Sequence, residues 1–146
     1  MSALVITLPW PTRELWPNCH AHPLRKYPAQ AQAKHDGYYA TLAALTPRWT
    51  SQWSPLTVEI TAHPPSLRPF DDDNLVSAFK HYRDGIALAL GIDDVKFTTL
   101  PVVRGEKRKG GCIIVTIGAP PAVTAAEAHQ REQEERGQLY YPQRPA

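Results

Sequence analysis

Apolar and polar positions alternate along the chain in two distinct periods, and the changes between them mark the elements. Ala3–Leu8 (ALVITL) is apolar and rich in β-branched residues, and Pro9 and Pro11 close it, which predicts a first strand. Thr12–Tyr27 holds Pro17, Pro23 and several polar residues and reads as a loop. After Pro28, Ala and Leu recur at helical spacing as far as Pro47, with Gly37 as a weak point near the centre. Leu56–Ala62 alternates strictly: Leu56, Val58, Ile60 and Ala62 share one face, while Thr57, Glu59 and Thr61 share the other. Pro64, Pro65 and Pro69 then force an extended approach.

From Asp73, apolar residues at 75, 76, 79, 82, 86 and 90 follow a helix that ends near Gly91, with Phe79, Tyr82 and Ile86 on its apolar side. Val95–Val103 and Cys112–Ile117 predict two strands of a hairpin, joined by RGEKRKGG (Arg104–Gly111). The order is β-α-β-α-β-β, an α+β arrangement with helices packed on a small sheet, mostly antiparallel or mixed. Beyond Gly118 the pattern breaks. Residues 119–146 carry almost no apolar face and read as an appendage to a domain spanning 1–118: a solvated helix, a dimer contact or disorder.

Composition refines this picture. A chain of 146 residues suits one domain, and its 15 prolines call for short, sharply punctuated elements. Net charge is only +2. Its distribution says more: of 14 acidic and 16 basic residues, four and three lie in 119–146, leaving 10 and 13 before it. Five of those ten acids are Asp71, Asp72, Asp73, Asp93 and Asp94, so the remaining surface is basic. A local acidic pocket on a basic body is the balance expected of an enzyme that acts on a polyanion through a metal. Cys19 and Cys112 form no CxxC pair, which fits free thiols in a reducing compartment, with a single bridge as the alternative. No run of 18 apolar residues and no signal-peptide pattern occur, so a soluble, cytoplasmic protein is expected.

The acidic residues invite chemistry. On a helix starting at Asp73, the side chains of Asp73, Ser77, Lys80 and Asp84 share a face, and Asp71 precedes it by two residues of extended chain. Asp93–Asp94 follow the helix and lead into the next strand. Two carboxylates 4 Å apart repel by about 4 kcal/mol at an effective dielectric near 20. A divalent cation removes that cost, and Mg²⁺ or Mn²⁺ prefers such oxygen ligands. The same residues also suit plainer roles, as a helix N-cap with acidic first-turn neighbours and as a turn.

Asp-x-Asp-Asn-Leu opening a helix, followed by Gly-Ile-Asp-Asp before a strand, resembles the RusA-type Holliday-junction resolvases, small endodeoxyribonucleases common in phages and prophages. VITLPWP is similar to that family's opening strand, LTVEITAHPP to the strand leading into the acidic motif, and VVRGEKRKGGCIIVTI to its closing hairpin. The likeness covers roughly residues 3–118. It implies a Mg²⁺-dependent homodimer (Mn²⁺ being the other candidate) that cuts opposed strands of a four-way DNA junction, leaving 5′-phosphates. The resemblance puts the essential, metal-holding carboxylates at Asp71, Asp73 and Asp94. Asp72 falls on a variable position, Asn74 on the motif asparagine and Asp93 on the less critical member of its pair. Where the family has a catalytic lysine this chain has Ser77, and Lys80, one turn on, is the candidate replacement. Asp84, on the same face, is a candidate supporting residue together with Asn74 and Asp93.

The remaining signals concern binding. Arg104, Lys107, Arg108 and Lys109 give a glycine-flanked tip suited to phosphates, or else an ordinary charged solvent loop. Arg68 is expected to join this DNA surface, and Arg13, Arg25, Lys26 and Lys34 to extend it. WPNCHAH (Trp16–His22) lacks the second cysteine pair of a zinc site and reads as a loop facing substrate or a dimer partner. Trp10, Trp16, Trp49 and Trp53 read as core or interface aromatics rather than base-stacking platforms. Two rival readings stand beside the nuclease: a junction-binding relative disabled by the missing lysine, and a cation-stabilised interaction protein with no DNA role.

Overall fold

The structure, a computed structural model, describes residues 3–46 and 56–118. The 119–146 appendage, Trp49 and Trp53 lie outside the described residues. Strand β1 is Leu4–Pro9, helix α1 Pro23–Ala44, strand β2 Leu56–His63, helix α2 Asp72–Leu90, strands β3 Phe97–Thr99 and β4 Val103–Arg104, and strand β5 Cys112–Gly118. The fold is α+β, as expected: two helices on a mixed, mostly antiparallel five-stranded sheet.

Sheet order is β1-β5-β2-β3, with β4 also pairing β2. The central β5 is antiparallel to both neighbours, and its register builds rows of apolar side chains across the sheet. Leu4, Ile117 and Val58 form one row, Ile6, Val115 and Ile60 the next, and Leu8, Ile113 and Ala62 the third. These side chains are almost wholly buried against α2 residues Leu75, Ala78, Phe79, Tyr82 and Ile86. The strict alternation in β1 and β2 thus puts one face on the core.

The expected hairpin between Val95–Val103 and Cys112–Ile117 does not form. β3 and β4 run parallel to β2 on its other edge, so β2–α2–β3 is a βαβ unit, and the 104–111 loop crosses the end of β2 to reach β5. Two local causes shorten the expected strand. Asp93 caps a 3₁₀ turn at Asp94–Lys96, its Oδ1 accepting from the Val95 amide at 3.1 Å. Pro101, with no N–H, interrupts the ladder after Leu100 N–H donates to the Val58 carbonyl (2.9 Å). Ile113, Val115 and Ile117, each fully buried, need strands on both sides, and β1 and β2 provide them.

α1 begins at Pro23, six residues before the expected start, and takes Pro28 inside it. His22 supplies the N-cap, Nδ1 accepting from the Leu24 amide at 3.1 Å, and Pro23 fills the first helical position. Pro28 leaves the Leu24 carbonyl without its helical partner, but Leu24 is exposed and water can serve instead. A short 3₁₀ helix at Arg13–Leu15 interrupts the expected loop, and Trp16–His22 remains irregular. The two helices cross at glycines: a Cβ at Gly37 would stand 2.3 Å from the Tyr82 carbonyl oxygen, and one at Gly85 would stand 2.0 Å from that of Lys34. No described helix is long and apolar enough to cross a membrane.

Candidate nucleic-acid and metal site

Three segments meet at one end of the sheet, where register aligns Pro9, Cys112 and His63. They are the Trp10–Trp16 segment after β1, Pro64–Asp71 after β2, and the 104–111 loop after β4. β1, β2 and β4 share one direction, so these are carboxyl ends, the side on which α/β sheets commonly bind ligands. The basic loop is pinned there. Gly105 N–H donates to the Ala62 carbonyl (2.8 Å), Arg108 N–H to that of Pro64 (3.0 Å), and the His63 Nδ1 bonds the Glu106 carbonyl (2.9 Å), which makes that nitrogen the protonated one. Gly111, at φ +69°, lies so close to Trp10 and Pro65 that a Cβ would collide with both.

The acidic helix start has a defined geometry. Asp71 is the N-cap of α2, in extended backbone, and its Oδ1 accepts from the amides of Asp73 (2.8 Å) and Asn74 (3.3 Å). Asp72 and Asp73 fill the first turn, where the positive helix end favours them. Two open cavities flank this start. One, of about 820 Å³, is lined by Asp71 and Asn74 together with Trp10, Trp16, Arg13, Arg68 and Phe70. The other, of about 640 Å³, is lined by Asp72, Asp73, Val76 and Ser77 against the Thr99–Val102 segment joining β3 to β4.

Asp72, expected as a spacer, is the carboxylate with the strongest partner. Its Oδ1 lies 2.7 Å from Arg104 Nη2, in a charge contact without an aligned hydrogen bond, and is otherwise shielded from solvent. The same nitrogen donates to the Phe70 carbonyl at 2.8 Å, and the guanidinium stacks 4.1 Å over the Phe70 ring. Arg104 therefore braces the approach to the helix. Arg108 leans on Glu106 (3.5 Å) and the Cys112 Sγ (3.8 Å), while Lys107, Lys109 and Arg68 are exposed.

Asp94 stands apart from Asp71 and Asp73. It precedes β3, at the end where β2 begins, and its carbonyl accepts from Arg83 Nη2 at 2.9 Å. Arg83 is ten residues along α2 from Asp73, about 15 Å of helix axis. Among the described residues, no group of three or more His, Cys, Asp or Glu side chains is placed to hold a metal ion. Asp71, Asp73 and Asp94, expected together, do not form one such group among the described residues, because α2 runs between the last and the first two. Lys80 is exposed and does not line either cavity, and Asp84 faces His81 (3.9 Å). Cys19 is buried, Cys112 half-buried, and both are free thiols.

Sequence reasoning missed Arg83, the Asp72–Arg104 pair and the aromatic cavity. Trp10 and Trp16 sit 5.8 Å apart, and Phe70 meets Trp10 edge-on at 5.4 Å. The signal in the sequence was their company, each beside proline and an arginine within three residues.

No family model matches the chain. It is similar to an uncharacterized protein of Xylella fastidiosa (strain Temecula1 / ATCC 700964), 40% identical over 116 residues that cover 77% of this chain and 74% of the relative. The chain belongs to the same family as that Xylella protein.

Proposed function

We propose that this protein is a Mg²⁺-dependent, structure-selective DNA endonuclease that resolves four-way junctions as a homodimer, as its resemblance to the RusA-type resolvases implies. The supporting observation is the convergence of Asp71 and Asp73, in their D-x-D-N setting, with the cationic 104–111 loop and Arg68 at one end of the sheet. A polyanion drawn to the basic rim meets the acidic helix start, a pairing that calls for a cation between them.

The donor set suits a hard divalent ion in part. Asp71 keeps Oδ2 clear of its capping bonds, Asp73 is exposed, and both offer carboxylate oxygens. These two would hold Mg²⁺, or Mn²⁺, and Asp94 is the third ligand that the resemblance names. When bound, such an ion polarises a phosphodiester and lowers the pKa of a coordinated water. The chain's own residues bind and orient: Lys107, Arg108 and Lys109 take phosphates, and Asn74 and the Asp71 cap keep the helix start in place. Asp93 supports the segment carrying Asp94 by capping its 3₁₀ turn.

The test is cleavage of a labelled four-way junction and a matched linear duplex, with Mg²⁺ and with EDTA. Wild type is expected to give metal-dependent paired nicks in the junction alone, and Asp73→Asn to lose them while still binding. Cutting that persists in Asp73→Asn would overturn the assignment. A second reading, a junction binder without cleavage, is favoured by Ser77 in the cavity beside Asp73 where the family carries lysine. Unchanged cleavage in Lys80→Ala would remove Lys80 as its replacement; binding without any cutting by wild type would establish this second reading.

A further inference from the structure

We infer that the 820 Å³ cavity between the Trp10–Trp16 pair and the Pro64–Phe70 segment is a subsite for one unstacked nucleotide of single-stranded or branched DNA. The inference rests on the DNA reading above and adds how a branched substrate is distinguished from plain duplex.

Trp10 and Trp16 are neither core nor fully exposed. Their indoles are half-buried, tilted at 38° to each other, and set in place by the Phe70 edge and by the Trp16 Nε1 bond to the Pro11 carbonyl (3.2 Å). Pro11, Pro64, Pro65 and Pro69 contribute to the walls, so the cavity is stiff and mostly apolar, with a volume in the range of small-molecule sites. An aromatic face in a stiff cleft is what a nucleobase stacks on, whatever its sequence.

The polar groups fit the rest of a nucleotide. Arg13 and Arg68 are exposed, and their guanidinium groups make no ion pair or hydrogen bond among the described residues, which leaves both for phosphate. The Asn74 amide, on the same lining, offers a donor and an acceptor to a base edge. Leu67, 85% exposed between Ser66 and Arg68, is a large apolar side chain at the rim, suited to fill the gap a displaced base leaves. Bases stacked in a continuous duplex hide their faces, so only a base freed at a branch, gap or single strand can enter.

Binding is measured in EDTA, so that cleavage plays no part, by anisotropy of labelled oligothymidylate and of a blunt duplex. Trp10→Leu, and separately the double variant Arg13→Ala/Arg68→Ala, are expected to weaken the single strand by about fivefold to a hundredfold. The ratio of single-strand to duplex affinity falls in both variants. The double variant alters two exposed side chains, so it keeps the test decisive if Trp10→Leu lowers stability. An unchanged ratio in the double variant overturns the subsite. If the same preparations still cut a junction in Mg²⁺, the nuclease reading survives that result. A wild-type protein that shows the ratio and the mutant losses but never cuts would instead retain the subsite and lose the nuclease.

Discussion

Gly37 looks like a flaw in a helix when only the sequence is considered, and in the fold it is one of the two glycines at which the helices press backbone to backbone. Propensity charges glycine about 1 kcal/mol against alanine in a helix interior. The gain is that α1 lies against the Tyr82 carbonyl, with Ala33 and Thr41 one turn to either side on the same buried stripe. Gly37→Ala and Gly85→Ala are each expected to lower stability by about 3 kcal/mol, since the added methyl meets backbone that cannot rotate away. Thermal or denaturant unfolding reads this directly. At the site, Asp71 caps α2, and the proposed nuclease reading gives it a second job that can be separated from the first. Asparagine keeps the N-cap and removes the charge, whereas alanine removes both. Asp71→Ala should cost about 1 kcal/mol of stability and Asp71→Asn only a fraction of that. Both should lose junction cleavage; an Asp71→Asn protein that cuts like wild type would confine Asp71 to capping.

α2 links the core to the site, and two of its residues carry measurable consequences. Tyr82 is buried and donates its hydroxyl to the Pro9 carbonyl at 3.2 Å, tying the helix to the end of β1 just before Trp10. Burial and the nearby Asp36 push its pKa up to about 12. Tyr82→Phe should cost about 1 kcal/mol, visible as a lower denaturation midpoint. His81 titrates the other way. Burial lowers its pKa from the ordinary 6.5 more than Asp84 raises it, and Lys80 and Lys34 lower it further. The folded protein thus holds that proton less tightly than the unfolded chain does. His81's contribution to stability is full above 6.5 and is lost as pH falls from there toward the depressed folded value. Melting temperature should drop over that interval, and His81→Gln should flatten the drop; an unaltered profile would assign it elsewhere. Element by element, periodicity located β1, β2, α2 and β5 because each has a single strong apolar face. It located α1 as well but set its start six residues late, after Pro28, and it failed at Val95–Val103, where Pro101 and the Asp93 cap break an apolar run.

On the scale of the molecule, three chain segments distant in sequence converge at one end of the sheet, while Asp94 lies a long way down α2 from Asp73. If Asp94 serves the same ion as Asp71 and Asp73, a second copy of the chain must bring it. Mixing Asp73→Asn with Asp94→Asn, each inactive alone, should then restore cleavage, because a mixed dimer holds one site with all three carboxylates. No recovery, with mixed dimers shown by mass, would place Asp94 outside the site. The sequence alone determined what depends on local order: the alternation of β1 and β2, the capped acidic start of α2, the clustering of charge at 71–73 and 104–109, and so the α+β class. Tertiary structure decided what depends on strand pairing. It put β3 and β4 on the far edge of β2, carried the basic loop over His63, paired Asp72 with Arg104, and opened the Trp10–Trp16 cavity beside Asp71. A single chain's pattern fixes which face of an element is apolar, but the neighbour that covers it is chosen by burial of the whole sheet. The side chains that meet at the sheet's end follow from that choice.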